Sequence, residues 1–223
     1  MDSKRTGWTA MVFVLFAALS PAQAADTAPV AQEPAGTPAE HQDFKIEASP
    51  PEPGSARAQA LAALDTAERL TLYSLQPWQP PETPEAWSKL RSSEFSRRVR
   101  ELNDSSQREW CHAHECIDGN RVLGSVEVGA ADRATVLQAL RDSFAKVPNF
   151  GFACGAQYRH AVGFFDAGQH YQALLCYHCG QVKIRVDGKD RSGDEQTYEM
   201  GDLRAINAIL TRAGVRLSEG AEP

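Results

Sequence analysis

Five cysteines and six histidines carry most of the chemistry that this sequence could perform. The cysteines are Cys111, Cys116, Cys154, Cys176 and Cys179. The sharpest spacing is Cys176-Tyr177-His178-Cys179-Gly180. A Cys-x2-Cys-Gly step lets two thiolates converge on one ion, and the glycine permits the positive backbone angle that such a knuckle needs. A closed tetrahedral site takes four ligands, and Cys154 and His160 are the candidates for the other two. A three-residue hairpin loop over Ala167–Gln169 would set His160 opposite Cys176, within ~4.5–5.5 Å. A two-residue loop would set Arg159 there instead. Zinc is the cofactor this set would take; a chain with no cofactor is the alternative.

The same thiols support other chemistry. In an oxidising compartment, neighbouring cysteines form disulfides, with Cys111, Cys116, Cys176 and Cys179 as candidates and Cys154 as a further partner. The odd count leaves at least one thiol outside any pairing within the chain. Thiol-disulfide oxidoreductase chemistry would use Cys176 and Cys179, but it draws on a helix N-terminus to lower the first thiol's pKa. Residues 180–185 read as a strand. Haem attachment needs a histidine directly after the second cysteine, and Gly180 stands there. A second group, Cys111-His112-Ala113-His114-Glu115-Cys116, offers either a local disulfide or donors for a soft metal. Cys154 with His160 as a nucleophile and base lacks any motif supplying an orienting group or an oxyanion hole. No catalytic residue is assigned.

The elements that must position these residues read as α+β. Leu61 and Leu64 among alanines suggest a first helix, followed by a strand over 69–75. Thr83-Pro84 is a helix start, and Trp87, Leu90, Val99 and Leu102 share a face of the helix after it. Residues 103–120 read as polar and irregular. Val122, Gly124, Val126 and Val128 alternate as a strand. Asp132 can cap a helix that buries Val136, Leu137, Leu140 and Phe144. Residues 157–165 and 170–177 read as a hairpin about Asp166-Ala167-Gly168-Gln169, and 181–186 as the third strand of a meander. A last helix starts at Asp202 and stops at Gly214. The expected fold is a small, mostly antiparallel sheet with this C-terminal three-stranded meander, packed by three to four helices.

Composition places the domain inside a longer exported chain. Lys4 and Arg5, an apolar run over 10–19 and Ala22-Gln23-Ala24 read as a Sec-type signal peptide over 1–24, cleaved after Ala24. The run is shorter than the ~20 residues of a membrane span, so no stable membrane insertion is expected after cleavage. Residues 25–56 form a Pro/Ala-rich linker with too little apolar surface to fold. That leaves a single domain over 57–218 and a tail over 219–223. The chain has 23 basic and 29 acidic side chains and a net charge of −6, which argues against a nucleic-acid partner. The expected location is the periplasm or the exterior.

Several of these segments recur together. Leu70-Thr71-Leu72-Tyr73-Ser74-Leu75, Val122-Leu123-Gly124-Ser125, the Cys154…Arg159-His160 step and the Cys176-x2-Cys179 strand end resemble a family of bacterial proteins, many exported, whose activity is not known. The similarity covers most of residues 64–187. It implies a small exported α+β domain and assigns no reaction. The expected role is a non-enzymatic module that binds a protein partner, in the manner of an inhibitor or immunity protein, stabilised by its cysteines. Zinc binding through the Cys-x2-Cys-Gly knuckle is the alternative, and thiol-disulfide exchange the second.

Overall fold

Alternating apolar residues build the sheet here, and helical spacing builds the layer that covers one of its faces. The computed structural model describes residues 45–151 and 153–220. The signal peptide read over 1–24, the linker up to residue 44 and the tail residues 221–223 lie outside the described residues. In chain order the elements are β1 (Ala48–Ser49), α1 (Ala56–Ala63), β2 (Leu70–Gln76), a 3-10 turn (Glu85–Lys89), α2 (Ser92–Ala113), β3 (Cys116–Ile117) and β4 (Asn120–Glu127). Then come α3 (Ala130–Ala145), β5 (Val147–Pro148), β6 (His160–Asp166), β7 (Gln169–Cys176), β8 (Gln181–Val186), β9 (Lys189–Asp190), β10 (Glu195–Gln196) and α4 (Leu203–Arg212).

The main sheet is antiparallel, ordered β10-β8-β7-β6-β2-β4-β3, with β9 paired to β8. The fold is α+β, and β6, β7 and β8 form the meander that the sequence suggests. Leu70, Leu72, Val162, Phe164, Leu175 and Ile184 point to one face and bury against α1, α3 and α4. The other face carries a smaller core of Leu75, Ala161, Leu174 and Cys176 with Ile117, Tyr158 and Cys179. Strand alternation alone makes this partition, because successive side chains leave opposite faces.

Two expectations are corrected. The stretch 103–113, read as irregular, is helical and belongs to α2, which begins at Ser92 rather than at Pro84. Thr83-Pro84 starts only the 3-10 turn, in which the Trp87 amide donates to the Pro84 carbonyl. No residue of α2 is fully buried, so its second half shows no apolar period to read. Local pairs support it instead: Arg98–Glu94 and Arg97–Glu101 at i,i+4 spacing, and a Trp78 Nε1 bond to Ser106 Oγ at 3.3 Å. The end of the segment read as a linker also carries structure. Ala48–Ser49 pairs with Val147–Pro148, Pro51 is buried, and Ser55 caps α1 by accepting from the Ala58 amide.

One buried cation fixes how the helices meet. Arg57, on α1, is completely buried. Its guanidinium donates to the carbonyls of Ser143, Phe144 and Lys146 at 2.7–2.9 Å, to the Gln196 carbonyl at 2.8 Å and to Thr197 Oγ1 at 2.9 Å. Ser143 and Phe144 lie in the last turn of α3, whose carbonyls have no amide partner within the helix. The positive charge also suits the negative end of the helix dipole. Burial lowers the Arg57 pKa to about 10, opposed by Glu195 at 4.0 Å, so the group stays charged at neutral pH. Replacing it with a similarly long apolar chain strands those acceptors in the core. Arg57→Met is expected to lower the unfolding free energy by about 3 kcal/mol in urea titration. A loss under about 1 kcal/mol would remove Arg57 from this role.

Candidate functional site

The hairpin turn decides which residues can meet. Ala167 and Gly168 both adopt positive φ (48° and 79°), making a two-residue loop in which Asp166 pairs with Gln169. Such a primed turn matches the right-handed twist of its strands. The register then places His160 opposite Leu175, not Cys176. A one-residue slip turns a side chain to the other face, so His160 joins the helix-covered face while Cys176 lies in the smaller core.

The four residues read as a zinc set are therefore not brought together. Cys154 and Cys179 are joined as a disulfide, their Cα atoms 5.9 Å apart. Cys176 is fully buried and unpaired, its sulfur accepting from the Gln157 amide at 3.3 Å. The expected Cys176 contribution to a disulfide is thus taken by Cys154. Cys111 and Cys116 are also joined, tying the end of α2 to β3. Among the described residues, no group of three or more His, Cys, Asp or Glu side chains converges as a metal site.

What gathers around His160 is a cavity of about 340 Å³, lined by Gln157, Arg159, His160, Tyr177, His178 and Leu203 together with Gly220. His160, at the start of β6, is 2% exposed. Its Nε2 lies 2.7 Å from Asn207 Oδ1 on α4. An amide oxygen only accepts, so Nε2 carries the proton and Nδ1 presents a lone pair. That Nδ1 has no hydrogen-bond partner among the described residues, and neither has the buried Tyr177 hydroxyl. The two rings meet edge to face with centroids 5.5 Å apart. Ser74, paired with His160 across β2 and β6, also holds an unpartnered buried hydroxyl. Buried polar groups are almost always satisfied, so these three atoms cost stability unless something not present in this structure meets them.

The electrostatics follow from burial. Desolvation pulls the His160 pKa down to about 4; the Asn207 bond opposes this and the Arg159 charge adds to it. Burial pushes the Tyr177 hydroxyl well up, and the Asp202 charge pushes it further. At neutral pH the site therefore holds a neutral imidazole, a neutral phenol and the fixed charge of Arg159. That guanidinium donates to Ser218 Oγ at 3.0 Å, to the Glu219 carbonyl and to Gln157 Oε1 at 2.9 Å, all neutral acceptors. The Asp202 carboxylate is committed to its own helix, accepting from the Ala205 amide at 3.1 Å. Beyond Ser218–Glu219 lies a second cleft of about 470 Å³, with Trp78, Trp110, Arg121 and Arg216 among its lining residues.

Sequence reasoning named His160, but as a metal ligand, and it missed Arg159, Tyr177 and Asn207 as site residues. Asn207 was detectable. It falls between Ile206 and Leu210 on the buried stripe of α4, where an amide needs a partner. Comparison with known proteins adds no identity: no family model, curated protein or solved structure matches the chain.

Two outcomes are expected. Thiol titration of unreduced protein should find no reactive group in the native state and one in denaturant, Cys176, because the other four cysteines are paired. His160 binds a proton near pH 6.5 when unfolded but only near 4 when folded. The unfolded chain thus holds the extra proton between those values. His160 should therefore make stability fall by a few kcal/mol as pH drops from about 6.5 to about 4. Denaturation across this range should show a shallower slope in His160→Gln than in the parent.

Proposed function

We propose that the chain is an exported binding module that holds a protein partner through the cavity bordered by Arg159, His160 and Tyr177. The observation that carries this reading is the cavity of about 340 Å³ itself, with the Arg159 guanidinium, His160 and Tyr177 among its lining residues. His160 stands at the start of β6 and Tyr177 directly after the end of β7. The adjoining cleft supports a partner of macromolecular size, since tryptophan and arginine are the residue types enriched at protein interfaces.

Export is part of the same reading. Two disulfides fit an oxidising compartment, and no helix among the described residues is long and apolar enough to cross a membrane. The positive start, apolar run and Ala22-Gln23-Ala24 of the first 24 residues supply the address, which makes the periplasm or the exterior the place of action. A binding role also fits the placement of the one unpaired thiol. Cys176 faces the smaller core, across the sheet from the imidazole that would have to activate it.

The test is comparative capture from an exported-protein extract, using immobilised parent and a Tyr177→Phe/Arg159→Gln variant with matching circular dichroism. The parent should retain one protein at near-stoichiometric yield, and the variant should lose it. Equal retention by both, or none by the parent, would contradict the reading.

A further inference from the structure

Two cores account for the faces of the sheet, and a third apolar group belongs to neither. It comprises Trp87 and Leu90, in and just after the 3-10 turn, with Phe95, Val99 and Leu102 on α2. All five are half-buried, and none packs into the core on either face of the sheet. Spacings of four and three residues line up Phe95, Val99 and Leu102 as one stripe. The segment before α2 covers it only in part: Trp78 bonds Ser106, and the Trp87 ring lies 5.7 Å from the Arg98 guanidinium.

The charges along α2 point to what covers the rest. From residue 91 to 100, Arg91, Arg97, Arg98 and Arg100 stand against Glu94 alone. From 101 to 115, Glu101, Asp104, Glu109 and Glu115 stand against Arg108 alone. A helix dipole favours acids at the first end and bases at the last, so α2 itself does not call for this order. Arg98–Glu94 and Arg97–Glu101 close within the helix. Arg91, Arg100, Asp104 and Glu109 have no ion-pair partner among the described residues. A helix basic in one half and acidic in the other attracts a copy of itself running the opposite way, and repels one running the same way.

We propose that this face of α2 is the interface of an antiparallel homodimer, with the two-fold axis beside Val99 and Leu102. Such an interface uses the same patch on both copies and closes on itself. By helical spacing, Arg91 and Arg98 share a flank of the stripe with Glu101 and Glu109, so each copy's basic end meets the other's acidic end. The second copy covers the apolar stripe that this chain leaves half open. None of the residues lining the cavity of about 340 Å³ lies on α2, so the dimer stands apart from the binding reading above.

Sedimentation velocity of the full chain tests this, with circular dichroism as the folding control. The parent should sediment as a dimer at roughly 50 µM, where a Kd of ~5 µM leaves most copies paired. Raising the salt from about 0.05 M to about 0.5 M should weaken the dimer about tenfold, because exposed charges are screened. Arg91→Glu/Arg98→Glu makes both halves of α2 acidic, and Glu101→Arg/Glu109→Arg makes both basic. Each variant alone should dimerise at least tenfold more weakly than the parent. Their equimolar mixture should restore the dimer, since acid then faces base at both ends, and this recovery also shows that both variants are folded. Leu102→Asp should separate the copies as well. A parent that stays monomeric at roughly 100 µM would overturn the proposal and leave this face to a different protein. A dimer indifferent to both charge reversals, or a mixture no more dimeric than its components, would overturn it too.

Discussion

A single buried guanidinium sets the frame on which the rest of this molecule depends. Arg57 gathers the last-turn carbonyls of α3 and the backbone at Gln196 and Thr197 into one hydrogen-bonded knot. Thr197 repeats the link by donating its own hydroxyl to the Ser143 carbonyl. From there the connection runs onward, because Ser143 Oγ accepts from the Gly201 amide just before α4. Gly201 sits so close to Ala139 that a Cβ would overlap its backbone, which is why a glycine stands there. The placement of α4, and with it Asn207 against His160, thus traces back to a charge on the first helix. A purely apolar core would leave those helix ends unsatisfied and α4 free to settle in more than one position.

The second constraint is the sheet acting as a partition. The two-residue turn at Ala167-Gly168 sends His160 to the helix-covered face and Cys176 to the other. One more residue in that loop would bring imidazole and sulfur together and invite metal or thiol chemistry. As built, the sulfur face is structural, with Cys154–Cys179 pinning the segment before β6 to the turn after β7. The imidazole face holds the unpartnered His160 Nδ1, Ser74 hydroxyl and Tyr177 hydroxyl, and Gln181 Oε1, opposite Cys176, is unpartnered on the sulfur face. Strand parity thus keeps the imidazole and the Cys176 sulfur on opposite faces of the sheet.

Much of this was legible in the residues and some was not. Apolar alternation in Leu70–Gln76 and Gln181–Val186, and the Asp202 cap with Gly214 as the stop, lead directly to β2, β8 and α4, because each signal is local. The second half of α2 escaped because a helix that buries nothing fully carries no apolar period, only i,i+4 charge pairs. Hairpin register lay beyond composition, since Ala167 accepts a positive φ that its type disfavours. That one angle decides whether His160 meets Cys176. Arg57 gave no sign either, as arginines on an alanine-rich helix ordinarily face solvent. The candidate site was half visible: His160 drew attention for its nucleophilic and ligating nitrogen, while its true neighbours come from elements 17 and 47 residues away.

The account turns on the protonation state of one ring, and that ring can be read directly. Long-range proton–nitrogen correlation spectra of the folded, uniformly labelled chain report the tautomer of each imidazole. The account predicts that His160 is neutral at pH 6, with Nε2 protonated and Nδ1 bare, and that it loses this preference in Asn207→Leu while the fold persists. A His160 that is charged at pH 6, or one protonated on Nδ1, would contradict it.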